Sequence, residues 1–318
     1  MNALKKIAGL AYNYFYDLHR FWRYASNHRV GGRTQTQRVS AIIATYHVVE
    51  KGMSMPEVRL GYGQDVVRKL ISLIRAYQAA GYSMQEQPIE EAVGALKTYI
   101  NFHVERDFEL GEIAEEICEL TDGLNAHGGG TVRLKRDEIC ELGKATFREL
   151  AQSRYSIRNY ADKNVPIELI REAVVIAQKT PSVCNRQSFR VHVSKDRATK
   201  NAMLKHQSGN RGFGHSADKV IVVTSDLETF FASSERNQPF IDGGLFSMSL
   251  MYALHHLGLG SCPLNWCVNA IRDRRFRAAY DIPDNEVVIM FISVGYLPEQ
   301  LDVPQSGRRP VDEIFQIR

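Results

Sequence analysis

EVVIMFISVGY, residues 286–296, is a run in which apolar and β-branched residues continue almost without a break. Such a run reads as a strand covered on both faces. KVIVVTS (219–225) and FRVHVS (189–194) read the same way. Helical periodicities at about 143–152, 166–179, 196–206, 242–257 and 269–280 alternate with these strands. That order describes a domain in which helices cover a sheet. No G-x-G-x-x-G follows a strand and no G-x-x-x-x-G-K-[ST] occurs, which speaks against a Rossmann dinucleotide fold and a P-loop hydrolase. The helix at 242–257, DGGLFSMSLMYALHHL, is apolar around nearly its whole circumference. A helix of that kind needs cover on every side. It is either a central core helix or one shared with a second subunit, and composition leaves both open.

The first 120 residues read as helical throughout. Leu4, Ile7, Ala8, Ala11, Phe15, Leu18 and Trp22 recur at spacings of three or four. Lys5, Lys6, Arg20, Arg23 and Arg29 oppose a single Asp17 over residues 1–30, a net +4. A basic amphipathic segment can lie weakly on an anionic membrane surface, or it can pack on its own protein as an arm. Further helices are expected at about 36–51, 64–80, 88–104 and 109–120, with an ordered turn over KGMSMPEVRLGYG, 51–63. His47 and Glu50 could share a helical face as metal ligands, but no second Glu-x-x-His pair completes a di-metal bundle. A surface or capping role is the expectation, and no metal site is proposed. TDGLNAHGGGTVR, 121–133, reads as linker. Its HGGG would suit an oxyanion loop only with a G-x-S-x-G nucleophile elbow, and none is present. The expected division is a helical N-terminal part (1–120), a linker (121–142) and an α/β part (143–318).

Composition narrows the partners. The 318 residues are 44% hydrophobic and 24% charged, with a net charge of +4. That is a globular balance, too weakly basic to indicate nucleic acid. No apolar run approaches the roughly 20 residues needed to cross a bilayer, and Lys5, Lys6, Tyr12, Asp17 and His19 interrupt any secretory h-region. Five cysteines at 118, 140, 184, 262 and 267, with no C-x-x-C pair, fit a reducing, cytoplasmic compartment rather than a disulfide scaffold. Cys262 and Cys267 as a redox pair lack the usual spacing.

Three patches carry chemistry. In Arg154-Tyr155-Ser156-Ile157-Arg158-Asn159-Tyr160, an extended backbone places Arg154, Ser156 and Arg158 on one face. Two guanidinium groups and a hydroxyl suit a phosphate and an oxygenated ring, although a solvated basic strand would look the same. Thr180-Pro181-Ser182-Val183-Cys184-Asn185-Arg186-Gln187-Ser188 lies between a helix and a strand. Its Ser182, Asn185 and Gln187 can meet a neutral heteroaromatic ring, or merely satisfy their own turn. Gly258-Leu259-Gly260-Ser261-Cys262-Pro263-Leu264-Asn265-Trp266-Cys267 reads as a bend that lets backbone approach a flat ligand.

Taken in order, R-x-S-x-R-x-[FY], PS-x-x-N-x-Q, GLGS-x-P, a strand ending in GY and a basic doublet resemble the FMN-dependent nitroreductase family over about residues 150–318. The resemblance implies an α+β fold with a central, mostly antiparallel sheet flanked by helices, in a domain-shared homodimer, here with a helical N-terminal addition. It implies that Arg154 and Ser156 bind the FMN phosphate and ribityl chain, and that Arg158 meets the pyrimidine edge and stabilises the reduced ring. Pro181, Ser182, Asn185 and Gln187 match the loop that reaches the flavin from the opposite subunit. Pro263, Leu264, Asn265 and Trp266 match the segment crossing the ring face, with a backbone N–H near Asn265 tuning flavin N5. Arg308 and Arg309 match the residues that close over the phosphate. The helix at 242–257 then falls at the dimer interface.

The sequence departs from the family at Ser188, where proline commonly follows and whose presence would relax the loop. Asn265-Trp266 replaces Glu-Gly, placing a bulky ring near the flavin pocket. DLETFFASSERNQPF, 226–240, lies where substrate lids vary, and Phe230, Phe231 and Phe240 could stack on substrate or pack in the core. HVVEKGMSMPEVRLGYG, 47–63, resembles an extension found in a subgroup associated with bacterial polysaccharide biosynthesis. The expected function is FMN-dependent electron transfer from NAD(P)H to a small organic acceptor by a ping-pong cycle. No side-chain nucleophile is required for it. Rival readings are a dehydrogenase or dehalogenase of a dedicated metabolite, a flavoprotein using a deazaflavin, and a non-catalytic interaction protein with a helix-covered site.

Overall fold

A computed structural model describes residues 3–24, 34–230 and 233–318. Its elements are α1 (Ala3–Tyr24), α2 (Gln35–Met53), α3 (Gln64–Ala79), α4 (Gln87–Val104), α5 (Glu112–Thr121), β1 (Thr131–Lys135), α6 (Arg136–Lys144), α7 (Phe147–Ser153), α8 (Ile167–Ala177), β2 (Phe189–Val193), α9 (Arg197–Leu204), β3 (Lys219–Asp226), α10 (Gln238–His256), β4 (Leu259–Asn265), α11 (Ala270–Ala279), β5 (Glu286–Tyr296), β6 (Gln300–Pro304) and α12 (Val311–Ile314). The chain divides into two compact units, one of residues 18–133 with 302–318 and one of residues 1–17 with 134–301.

The helical unit follows from its periodicity. Val39, Ile42, Tyr46, Val49 and Met53 line one face of α2 and meet Val67, Leu70, Ile74 and Tyr77 of α3, with Ala92, Leu96 and Tyr99 of α4 closing the core. Each such aliphatic side chain contributes roughly 1.5–3 kcal/mol on burial. A capping box starts α2, where the Thr34 hydroxyl accepts from the Gln37 N–H at 3.3 Å and the Gln37 side chain accepts from the Thr34 N–H at 3.0 Å. The HGGG stretch is a packing device. A Cβ on Gly129 would stand 2.1 Å from the Glu91 carbonyl oxygen of α4, and one on Gly130 would meet the Thr98 side chain. The Gly130 N–H donates to Glu50 Oε1 at 3.0 Å. Glu50 is therefore a buried acceptor and not the surface residue its helix suggested. His47 Nδ1 lies 3.5 Å from the second Glu50 oxygen.

In the α/β unit, β2-β3-β5-β4 form one antiparallel sheet. On one face, Ile221 and Val223 of β3 with Ile292 and Val294 of β5 pack against Phe246, Leu250 and Leu254 of α10 and Ile170 and Ala173 of α8. The strands at 189, 219 and 286 fall where the sequence puts them. Gly258, at a φ of 77°, makes the expected bend after α10, but LGSCPLN goes on as the strand β4, at the sheet edge, where Pro263 costs no ladder hydrogen bond to a further strand. The stretch 121–142 likewise contains β1, which pairs with β6, and most of α6. Helix α10 is not covered all round: Ile241 and Leu245 remain about half exposed on its outer stripe.

Candidate functional site

Arg154 leaves α7 in an extended conformation, and the chain then runs beside the free edge of β4. Ser156 bridges to Ser261 in parallel, and the Ile157 N–H donates to the Ser261 carbonyl at 2.9 Å. Two glycines make this approach close. A Cβ on Gly260 would lie 3.0 Å from Ile157, and one on Gly295 would lie 2.8 Å from the Tyr160 ring. The Tyr160 hydroxyl donates to the Ile157 carbonyl at 2.7 Å and lies 2.9 Å from Ser293 Oγ. Burial pushes that phenol well above its ordinary pKa, so it stays a neutral donor. The R-x-S-x-R-x-Y, GLGS and GY motifs are thus one packed layer.

Arg158 sits in this layer with only 8% of its surface exposed. Its Nη1 donates to the Ser156 carbonyl at 3.3 Å, while its Nε is buried with no hydrogen-bond partner among the described residues. A desolvated cation with an unused donor is costly unless an acceptor meets it. Arg154 is half-buried and lines a small recess with Ile157, His255 and Leu297. His255 accepts or donates at 2.9 Å to Ser153 Oγ. Burial, with Arg154 and His256 adding nearby positive charge, pulls its pKa down to about 4.

The loop at 182–187 is strained. Cys184, Asn185 and Gln187 all take positive φ, at 48°, 54° and 50°. Ser182 Oγ accepts from the Gln187 N–H at 2.9 Å, and the Asn185 N–H donates to the Ser182 carbonyl at 2.9 Å. Pro181, Asn185 and Gln187 are exposed. Ser188 does not relax the loop: it is fully buried, its Oγ accepts from Ser225 at 2.8 Å, and its carbonyl accepts from the Asp226 N–H at 2.8 Å.

On β4, Pro263 is half-buried, Leu264 turns its side chain into the core and Asn265 is exposed, its carbonyl accepting from Gln207 at 2.9 Å. Trp266 is not a free ring in a pocket. Its indole stacks on Phe291 at 4.8 Å, and its N–H donates to Asp273 at 2.8 Å. Phe230 lies under the Arg186 guanidinium at 5.2 Å, Phe240 is exposed, and Phe231 lies outside the described residues. Arg308 and Arg309 belong to the helical unit. Arg308 turns back on the Ser306 carbonyl, and Arg309 pairs with Glu313 at 3.1 Å. Cys262 and Cys267 are both free thiols. The sequence reading gives no role to Arg186, Glu235 or Asp242, although the structure ties all three to the 182–187 loop. Asp242 Oδ2 accepts from the Val183 N–H at 3.2 Å. The adjacent opposite charges of Glu235 and Arg236 were the available signal.

A sequence model described as "Nitroreductase family" matches residues 151–210 and 200–296. An NADH dehydrogenase of Thermus thermophilus is 26% identical over 195 residues, 52% of this chain and 92% of that protein. Iodotyrosine deiodinase 1 of Pongo abelii is 25% identical over 200 residues, 53% of this chain and 67% of that protein. A solved FMN-dependent nitroreductase of Clostridium difficile superposes with a TM-score of 0.42 at 24% identity, covering 47% of this chain and 87% of its own. Residues 151–296, a little under half of the chain, are therefore similar to the nitroreductase family.

Proposed function

We propose that this protein binds FMN and works as an NAD(P)H-dependent oxidoreductase on a small organic acceptor. The observation that carries the reading is Arg158, a buried cation with an unused Nε donor on a layer pressed to the sheet edge. The oxygen-rich edge of a flavin is an acceptor that fits it. When bound, FMN supplies two-electron chemistry between NAD(P)H and the acceptor, in a ping-pong cycle at one site.

In this reading Arg154 and Ser156 hold the phosphate and ribityl chain, and Arg158 favours negative charge at the pyrimidine edge. Leu264 is buried in the core beside it, and the backbone N–H near Asn265 would be the donor toward the ring. Pro181, Ser182, Asn185 and Gln187 offer an uncharged hydrogen-bonding surface to a second site in a homodimer. The exposed stripe of Ile241 and Leu245 on α10 supports such a pairing. A cytoplasmic setting fits the free thiols. A link to polysaccharide biosynthesis rests on the likeness of residues 47–63 alone.

The test is a visible spectrum of the protein purified without added cofactor, mass identification of any released chromophore, and anaerobic addition of NADH or NADPH. A flavin spectrum that bleaches is the expected result. No chromophore after soaking with FMN would sink the assignment and favour an interaction protein. Reductive dehalogenation of an aromatic substrate is a second reading, favoured by the likeness to a deiodinase. Halide release from a halophenol by the reduced protein distinguishes it.

A further inference from the structure

Residues 1–150, α1 among them, lie outside the matched family region. In an amphipathic helix docked on its own protein, the apolar arc normally faces inward. Ile7, Leu10, Tyr14 and Phe15 are 41–68% exposed, while among the described side chains of α1 the half-buried positions are Gly9, Asn13 and Asp17, one row at spacings of four. The row that faces inward among these residues ends on a charged group, which can give the contact its specificity.

Asp17 supplies one. Arg236 Nε donates to Asp17 Oδ2 at 2.7 Å and Arg236 Nη2 to Oδ1 at 3.0 Å, a two-point fork. The Arg236 side chain is only 14% exposed. The preceding residue points the other way: Glu235 takes both Arg186 Nη1, at 3.3 Å, and Nη2. The Arg186 side chain is 12% exposed and also donates from Nη1 to the Thr229 carbonyl at 2.7 Å and from Nε to the Val183 carbonyl at 3.2 Å. Arg186 is itself part of the 182–187 loop, flanked by Asn185 and Gln187 with their positive φ. Two consecutive residues on one short turn therefore tie α1 on one side to a strained loop on the other. Buried forks of this kind are directional, and a carboxylate removed from one leaves a poorly solvated guanidinium behind.

We propose that Asp17, Arg236, Glu235 and Arg186 are a positioning relay through which α1 holds the 182–187 loop in its strained, ligand-ready conformation. None of the four acts on a reacting atom. The relay rests on the FMN reading only for what the loop is ready to bind. Its energetic logic is that positive φ at Cys184, Asn185 and Gln187 persists because neighbours over-determine it. Releasing one tie lets the loop relax.

The test measures backbone hydrogen exchange in the 180–188 peptide of the full-length, ligand-free protein, alongside FMN titration by fluorescence. Asp17→Asn and Arg236→Gln are each expected to speed loop exchange about fivefold and weaken FMN binding by a similar factor, the scale of one lost fork. The reversal Asp17→Arg with Arg236→Asp should restore both. Arg186→Gln, which also frees the Thr229 and Val183 carbonyls, should exceed either. Loop exchange unchanged in Asp17→Asn overturns the relay. So does faster exchange that extends equally to β3 and β5, since that is general loosening. If the wild-type protein takes up no FMN, the functional reading fails while the exchange data still judge the relay.

Discussion

In the helical unit, the 128–130 glycines lie on α4 so closely that a Cβ on Gly129 would stand 2.1 Å from a backbone oxygen. In the α/β unit, Gly260 and Gly295 let the 156–160 segment settle on β4 and β5, and the nearest atoms there belong to the side chains of Ile157, Leu297 and Tyr160. The same absence of a side chain serves two ends. Against α4 it joins backbone to backbone and positions no ligand group beyond the Glu50 acceptor. At the sheet edge it seats a layer whose other members are Arg154, Ser156 and Arg158. A glycine cluster therefore points to a close approach, and only the residues brought in by that approach say whether a site results.

The sharpest break of this comparison is Gly129→Ala. The new methyl group meets a helix backbone that cannot move aside, at a φ of 77° that L-residues rarely adopt. The expected loss is about 4 kcal/mol or more, read by urea denaturation followed by circular dichroism. A loss below about 1 kcal/mol would mean that the glycine contact is looser than it looks.

Each unit also buries a histidine kept neutral, and acid should find both. His103 receives the Gly61 N–H at Nε2, 3.0 Å away, and its Nδ1 lies 2.7 Å from the Tyr99 carbonyl, so the proton sits on Nδ1. Burial lowers its pKa, as it lowers that of His255 to about 4. Between about 6.5, the unfolded value, and 4, the unfolded chain binds more protons than the folded one at His255. Stability therefore falls as pH drops through that window. At 1.36 kcal/mol per pH unit the His255 contribution is on the order of 3 kcal/mol. His255→Gln should flatten the slope of denaturation midpoint against pH, and an unchanged slope would place the acid response elsewhere.

Gly295→Ala tests the other glycine surface. The Tyr160 ring that its methyl would meet is held by hydrogen bonds to Ile157 and Ser293, so it yields only partly. A stability loss of about 1–3 kcal/mol is expected, the range for an overpacked core. Because the displaced ring carries the Arg158 layer with it, FMN affinity should fall more than in Gly129→Ala. Equal affinities in the two variants would separate the glycine layer from the ligand.

How legible these features were in the sequence depends on what each residue must do locally. Periodicity marks α2, α3, α4 and α10, and β3 and β5 stand out because both of their faces are covered. β4 is hidden because its glycines and Pro263 are turn-formers by propensity, and only an edge position with a neighbouring segment makes them strand. The stretch 121–142 looks like linker for the same reason, its glycines outweighing TVRLK. Glu50 looks like a surface carboxylate until the Gly130 N–H, 80 residues away, is brought to it. Trp266 looks like an obstruction until Phe291 and Asp273 take its ring and its N–H. In each case the missing information was a long-range partner. The arginines of the 154–158 segment could be picked out as a ligand patch because their chemistry needs no partner from the fold to be noticed.

Arg158 gives the smallest effect on stability and the one with the least intuitive sign. A buried guanidinium with an unused donor opposes folding of the ligand-free protein, because its desolvation is only partly offset by the Ser156 carbonyl. Arg158→Met keeps much of the aliphatic stem and removes the charge. The ligand-free variant should therefore be as stable as the wild type or more stable by about 1 kcal/mol, the direction seen when buried ions are replaced by apolar residues. Its affinity for FMN should fall at least tenfold, about 1.4 kcal/mol. The two changes together are the signature of a residue retained for a ligand at some expense to the fold. Denaturation of the ligand-free protein and fluorescence titration with FMN read them separately. Loss of stability with no loss of affinity would make Arg158 a packing residue, and the layer over β4 would then resemble the glycine contact on α4 in purpose as well as in form.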